Sequence, residues 1–206
     1  MIKYLYCLVY LMQDTVMKMD IKHGSEESAM FVTGVGLITT NGRWGHDVMT
    51  AEWVHQVSYS PALVMVNVDD SNATADNIKK SKEFGVSIAS VGQAAVARIA
   101  GSYTGKETDK MAILRELGTG FYKAKKIDAY MLKGAALNLE LKLIKQEKVG
   151  DHVMFIGEVI GMSASSDAKP LAFRSGQGFY ALDENRIKSG VDAQKLEKLA
   201  MKYSKE

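Results

Sequence analysis

The chain has 206 residues, 47% of them apolar and 24% charged, which excludes wholesale disorder and fits one compact domain or at most two small ones. At this length a core buries roughly 70% of the unfolded surface, so no disulfide or metal staple is required. Lys plus Arg is 26 against 24 Asp plus Glu, a net charge of +2 that lacks the basic excess a nucleic-acid partner would need.

Residues 1–28 read as a leader of doubtful order or a misassigned start. The apolar run Tyr4 to Met12 is far shorter than the roughly 20 residues of a membrane span. It is followed by no small-residue cleavage site, and Met12, Met17 and Met19 offer later starts. A docking strand or helix and an export signal are the competing readings of this stretch. Residues 29–206 are expected to form a single domain with a C-terminal helix. No second segment is long enough to cross a bilayer, so the expected location is the cytoplasm.

From Ala29 onward the elements read first as strands. Phe31, Val32, Val35, Leu37 and Ile38 form an apolar stretch closed by Asn41-Gly42, a hairpin signal because both residues tolerate positive φ. The return strand is expected from about Asp47 to Val57. Pro61 opens an apolar run from Ala62 to Val68. Asp69 to Asn72 then turns into a short helix through about Lys82, and Phe84 to Ala89 is a further strand. Ala94, Val96, Ala97 and Ile99 predict a helix ending with Gly101 at the C′ position. Thr108 is expected to cap a helix that carries Met111, Leu114 and Leu117 on one face. Leu137, Leu139, Leu141 and Leu143 alternate with Asn138, Glu140 and Lys142, which predicts a strand with one wet face. A turn at Val149-Gly150-Asp151 leads into Val153 to Ile160, and Leu196, Leu199 and Tyr203 mark the C-terminal helix. Regular βα alternation is absent, so an antiparallel barrel is expected rather than a doubly wound sheet. Several strands look apolar on both faces, which calls for helices or a second subunit to cover them.

Most catalytic patterns fail. Gly34-Val35-Gly36 lacks the third glycine of a dinucleotide fingerprint, and Gly101 to Lys106 is one residue short of a phosphate-binding loop. The four histidines show no metal-ligand spacing, and the single cysteine, Cys7, excludes a disulfide framework and fits a reducing compartment. Ser163 stands in no nucleophile elbow. Four polar groupings are left. Asp47 to Trp53 joins a hydroxyl, small residues and an indole, which suit a planar ligand close to the backbone; an ordinary core strand is the alternative. Asp69 to Asn77 opens a helix whose N-terminus suits a phosphate, with Thr74 and Asn77 at hand; plain capping by Ser71 or Thr74 is the alternative. Lys110, in the first turn of its helix, brings a point charge suited to an anion; a solvent-facing lysine is the alternative. The turn Gly150-Asp151-His152 completes the set; an Asp-stabilised turn with an exposed imidazole is the alternative.

Taken in order, these fragments resemble the flavin reductase-like, FMN-binding split-barrel family, including its flavoredoxin branch. The residues carrying the resemblance are Met49 to Trp53, Ser60 to Val64, Thr74 to Asn77 and Phe84 to Ser87. Gly101 to Gly105, Asp109-Lys110, Gly150 to His152 through Val159, Pro170-Leu171 and Tyr180 follow, so it spans about residues 29 to 182. The resemblance implies a mainly β fold with α inserts, a split β-barrel homodimer holding FMN non-covalently. It implies that Asp47, Met49, Thr50, Ala51, Glu52 and Trp53 line the ring and ribityl chain. It implies that Thr74, Asn77 and Lys110 hold the phosphate, that Ser87 replaces a common asparagine near the cofactor, and that His152 stands by the nicotinamide as the catalytic candidate. The implied activity is an NAD(P)H-dependent flavin reductase passing electrons to free flavin, a monooxygenase partner or ferric iron. The alternatives are a flavoredoxin-like carrier reduced by a protein donor and a barrel that binds another ligand or none. No metal, nucleic acid or membrane is expected.

Overall fold

The computed structural model describes residues 20–182 and 192–203. The apolar stretch near its start divides at Val35 into β1 (Val32–Gly34) and β2 (Gly36–Thr40). Next come β3 (Asp47–Ala51), β4 (Val54–Tyr59), β5 (Ala62–Asp69), α1 (Ala73–Ser81) and β6 (Glu83–Ile88). Then α2 (Ala94–Ser102), α3 (Lys110–Glu116), β7 (Phe121–Lys123) and β8 (Tyr130–Leu132) lead to two long strands, β9 (Leu137–Val149) and β10 (His152–Ala164). The chain continues with β11 (Leu171–Arg174), β12 (Gly178–Ala181) and α4 (Ala193–Lys202).

The main sheet is antiparallel, seven-stranded and ordered β3-β2-β6-β9-β10-β5-β4. Its two edge strands are consecutive in the chain, joined only by Glu52 and Trp53. That link spans at most about 11 Å at ~3.8 Å per Cα step. A flat sheet of this order would hold its edges about 29 Å apart at ~4.8 Å per strand. The sheet therefore curls until its edges face each other, yet no ladder joins β3 to β4. One backbone bond, Asn67 N to the Trp53 carbonyl at 3.0 Å, ties β5 to the seam.

Period-two alternation sends neighbouring residues to opposite faces. Ile38, Val66, Val86, Leu141 and Phe155 pack on one face with Ala75 and Ile78 of α1. Leu37, Val48 and Leu171 pack on the other with Ala97 and Ala100 of α2 and Met111 and Leu114 of α3. Every residue of β2 is accordingly buried, and helices supply the cover that its apolar sequence calls for.

Several sequence expectations are corrected. Asn41-Gly42 is no two-residue turn. It opens the loop 41–46, where Asn77 Oδ1 accepts from Trp44 N at 2.9 Å and Asn77 Nδ2 donates to the Gly45 carbonyl at 3.0 Å. The expected return strand breaks at Glu52-Trp53, because its second half pairs with β5 rather than β2. Asp109, not Thr108, caps α3 by accepting from Ala112 N at 2.9 Å, and Leu117 is exposed beyond the helix end. Gly101 lies inside α2 rather than after it. Asn138 and Glu140 of β9 are buried, not wet. Asn138 Nδ2 donates to the Leu132 carbonyl, and Glu140 accepts from Lys125 N and Lys126 N. The β9–β10 turn is as expected, with Gly150 at φ +63°. Leu199 and Tyr203 of the C-terminal segment are exposed, while the side chain of Leu196 lies outside the described residues. Cys7 and the apolar run of the leader also lie outside them. Among the described residues no helix is long and apolar enough to cross a membrane.

Candidate functional site

The seam between the sheet edges is hollow. One cavity of about 140 Å3 is walled by Met49 to Trp53 with Asn67, Asn72 and His152. A second, of about 120 Å3, shares Met49, Thr50 and Asn72 and adds Asp47, Thr74, Gly105 and Lys110. The shared walls make these one trench. It opens past Glu52, Trp53 and His152 into a chamber of about 540 Å3, and past Asp47 and Gly105 into a hollow of about 420 Å3 beside Arg115 and Tyr130.

Because β3 is a sheet edge, one row of its backbone N–H and C=O groups is left unused by the ladder with β2. Thr50 Oγ1 donates to the Ala97 carbonyl at 2.6 Å, which ties the strand to α2. Asn67 also lines the trench, and its buried Oδ1 has no partner among the described residues. Such an atom is costly to bury unless something donates to it.

At the other end Lys110 Nζ lies 3.1 Å from Asp47 Oδ1, both side chains almost fully buried. Lys110 also donates to the Ala100 carbonyl at 3.5 Å, and Thr74 Oγ1 donates to Asp47 Oδ2 at 3.4 Å. Burial pushes the Asp47 carboxyl above the ordinary aspartate value, outweighing the opposing pull of Lys110 and Thr74. Gly105 packs so closely here that a Cβ would stand 2.5 Å from the Asp47 carboxyl carbon. The acids flanking α1 are engaged elsewhere. Asp69 accepts from Ser71, Asp70 pairs with Lys79 and Lys148, and Asp76 accepts from the Trp44 indole and pairs with Lys106. These partners hold all three carboxyls below the usual aspartate value, led by the Ser71 hydroxyl, Lys79 and the Trp44 indole respectively.

Trp53, 39% exposed, stacks on His152 with ring centroids 4.7 Å apart and a 51° tilt. His152 Nδ1 is 2.6 Å from Asp151 Oδ1, and this contact holds Asp151 below the usual carboxylate range.

Asp47, Met49, Thr50, Ala51, Glu52, Trp53, Thr74, Lys110 and His152 all line the trench. Two predicted residues do not. Asn77 is spent on the loop 41–46 and on Thr40 Oγ1, to which its Nδ2 donates at 3.0 Å. Ser87 is buried and donates to Asn138 Oδ1 at 2.5 Å. Sequence reasoning missed Asn67, although a lone amide in the apolar run Ala62 to Val68 was its visible signal. Among the described residues no His, Cys, Asp or Glu cluster is suited to a metal ion.

Residues 28–181 match the family model described as a flavin reductase like domain. That span covers most of the chain, which belongs to this family. A protein from Archaeoglobus fulgidus is 32% identical over 127 residues, 60% of this chain and 70% of its own length. The FMN reductase (NADH) RutF of Ancylobacter novellus is 24% identical over 141 residues, 68% of this chain and 74% of its own. Among solved structures, flavoredoxin of Desulfovibrio vulgaris (Miyazaki F) superposes with a TM-score of 0.68 at 25% identity, covering 84% of this chain and 98% of that one. BorF, the flavin reductase component of a bacterial two-component tryptophan halogenase, superposes at 0.66 with 27% identity, covering 77% and 95%.

Proposed function

We propose that the trench binds FMN non-covalently and that the protein is an NAD(P)H-dependent flavin reductase, a cytoplasmic homodimer of split barrels formed by residues 29–206. The observation that carries this reading is the seam itself: a free strand edge and the orphaned Asn67 Oδ1 face one cavity. A flavin's pyrimidine edge offers both N–H donors and C=O acceptors, which is the complement such a wall lacks.

The flavin, when bound, supplies a ring that accepts a hydride from a reduced nicotinamide. The chain supplies placement. Free N–H groups of β3 and of the Glu52-Trp53 link would stabilise negative charge on the pyrimidine side of a bound flavin. Asn67 Oδ1 would accept from an N–H of the bound ring and help to orient it. Thr74 and the N–H groups that open α1 would hold the phosphate. Lys110 does not act as a free cation there. Its charge is matched by Asp47, so the pair braces Thr74 and the trench floor. His152, held by Asp151 and Trp53, orients the donor ring; hydride delivery needs no protonated side chain at this position.

The similarity to flavoredoxin supports a second reading, an FMN electron carrier reduced by a protein donor. The similarity to BorF supports a partner that consumes the reduced flavin, with free flavin and ferric iron as the other acceptors. Anaerobic stopped-flow of the FMN-loaded protein separates the first two. Bleaching of the flavin band by NADH or NADPH within seconds is the expected result. Binding of FMN without bleaching by either nucleotide leaves the carrier reading.

A further inference from the structure

Residues 20–27 precede the span matched by the family model, yet they are fastened to the barrel beside the trench. Gly24 N donates to Ser175 Oγ at 3.2 Å, and the same hydroxyl lies 3.0 Å from His23 Nδ1. Ser175 is buried. Gly24 and Gly176 pack backbone to backbone, so that a Cβ on Gly176 would stand 2.7 Å from Gly24 Cα. One turn further along, Arg174 Nε donates to the carbonyl of the fully buried Ala29 at 3.0 Å. The β11–β12 hairpin thus grips the segment at three points.

This anchoring leaves Ile21 and Phe31 61% and 63% exposed. Both line the 540 Å3 chamber together with His23, and Trp53 and His152 line it from the trench. Two large apolar side chains uncovered on a fastened segment make an apolar face with room for a flat ring. Glu52 and Asp151 also border the chamber, and their carboxylates favour a ring that becomes cationic over an anionic group.

We propose that residues 21–31 form the specificity wall of the hydride-donor site, with Ile21 and Phe31 as the surfaces against which the nicotinamide ring rests. This wall rests on the reductase reading; Ile21 and His23 precede the span matched by the family model, and Phe31 lies at its start. It acts on donor recognition: neither Ile21 nor Phe31 lines the trench between Asp47 and Asn67, and the segment approaches the cradle through His23 Nδ1, 3.9 Å from Glu52 Oε1.

The test is steady-state and stopped-flow kinetics of the full chain as Ile21→Ala/Phe31→Ala, with Ile21→Trp as a second variant at an exposed position that the fold tolerates. The expected result is a KM for the nicotinamide donor raised about fivefold or more in both variants, with the FMN Kd within about twofold of wild type. A donor KM unchanged while FMN binding is intact overturns the wall. A KM and an FMN Kd that weaken together also overturn it, since the segment would then belong to the cradle. Wild-type protein that binds FMN but is bleached by neither nucleotide fails the reductase reading itself, and the donor wall falls with it.

Discussion

Asp47 and Lys110 show how a residue's position can be legible in the sequence while its partner is not. The sequence marks Lys110 as a phosphate cation, but burial forces it onto the nearest carboxylate, since an unmatched charge inside the fold is far costlier than a matched one. Lys110→Met is therefore expected to lower stability by about 3–5 kcal/mol in urea unfolding, by stranding Asp47. Adding Asp47→Asn should recover most of that loss. A single variant as stable as the parent would contradict the pairing. Asn67 makes the opposite case, with an acceptor that no described group satisfies. Asn67→Ala should weaken FMN about tenfold, the worth of one buried hydrogen bond, while the ligand-free protein unfolds at nearly the same denaturant concentration; calorimetric titration and a melt read the two effects. Acid sensitivity divides similarly. Asp76, held below the aspartate range by the Trp44 indole and Lys106, gives stability present above the ordinary value of about 3.8 and lost as pH falls through its folded value. Asp47, raised by burial, works the other way and favours the fold as it takes up a proton. Asp76→Asn should accordingly flatten the acid limb of a stability-against-pH curve below about pH 5; a steeper limb would refute the assignment.

At the level of elements, local patterns located the helices and the strands of the main sheet, missed the short pairs β7–β8 and β11–β12, and failed where pairing is decided at a distance. The run Asp47 to Val57 has no internal break signal. It splits at Glu52-Trp53 because its halves find different partners at opposite edges of one sheet, which is long-range information. Asn138 and Glu140 alternate with leucines as a wet face should. They are buried because the connecting chain around Leu132 and Lys125 folds over them and brings backbone groups for them to bond. The pair β7–β8 goes unforeseen because its strands are only three residues long. Asn77 belongs to this scale too. Two of its three side-chain bonds hold the loop 41–46 that leads into β3 and the third reaches Thr40 Oγ1 at the end of β2, so no ligand is needed to explain it. Asn77→Ala should cost about 2–3 kcal/mol of stability and leave the ratio of FMN to riboflavin affinity unchanged. A selective loss of FMN would return Asn77 to the phosphate site.

For the molecule as a whole, the curl of the main sheet makes the trench. A two-residue link between its edge strands draws the edges together without letting them pair, and the gap so made is lined by the β3 edge and by Asn67 Oδ1, which has no partner among the described residues. Order and spacing of short motifs made the family legible in the sequence, whereas the orphaned amide and the gripped N-terminal segment depend on contacts that no local pattern carries. The central claim is that this gap is a flavin site, and the two tryptophans make it directly measurable, since only Trp53 lines the trench. In the Trp44→Phe variant, titration with FMN should quench the remaining tryptophan emission to saturation at one flavin per chain, and the added substitution Asn67→Ala should shift that curve to higher FMN. Emission that stays unchanged across the titration, or quenches without saturating, would contradict the account.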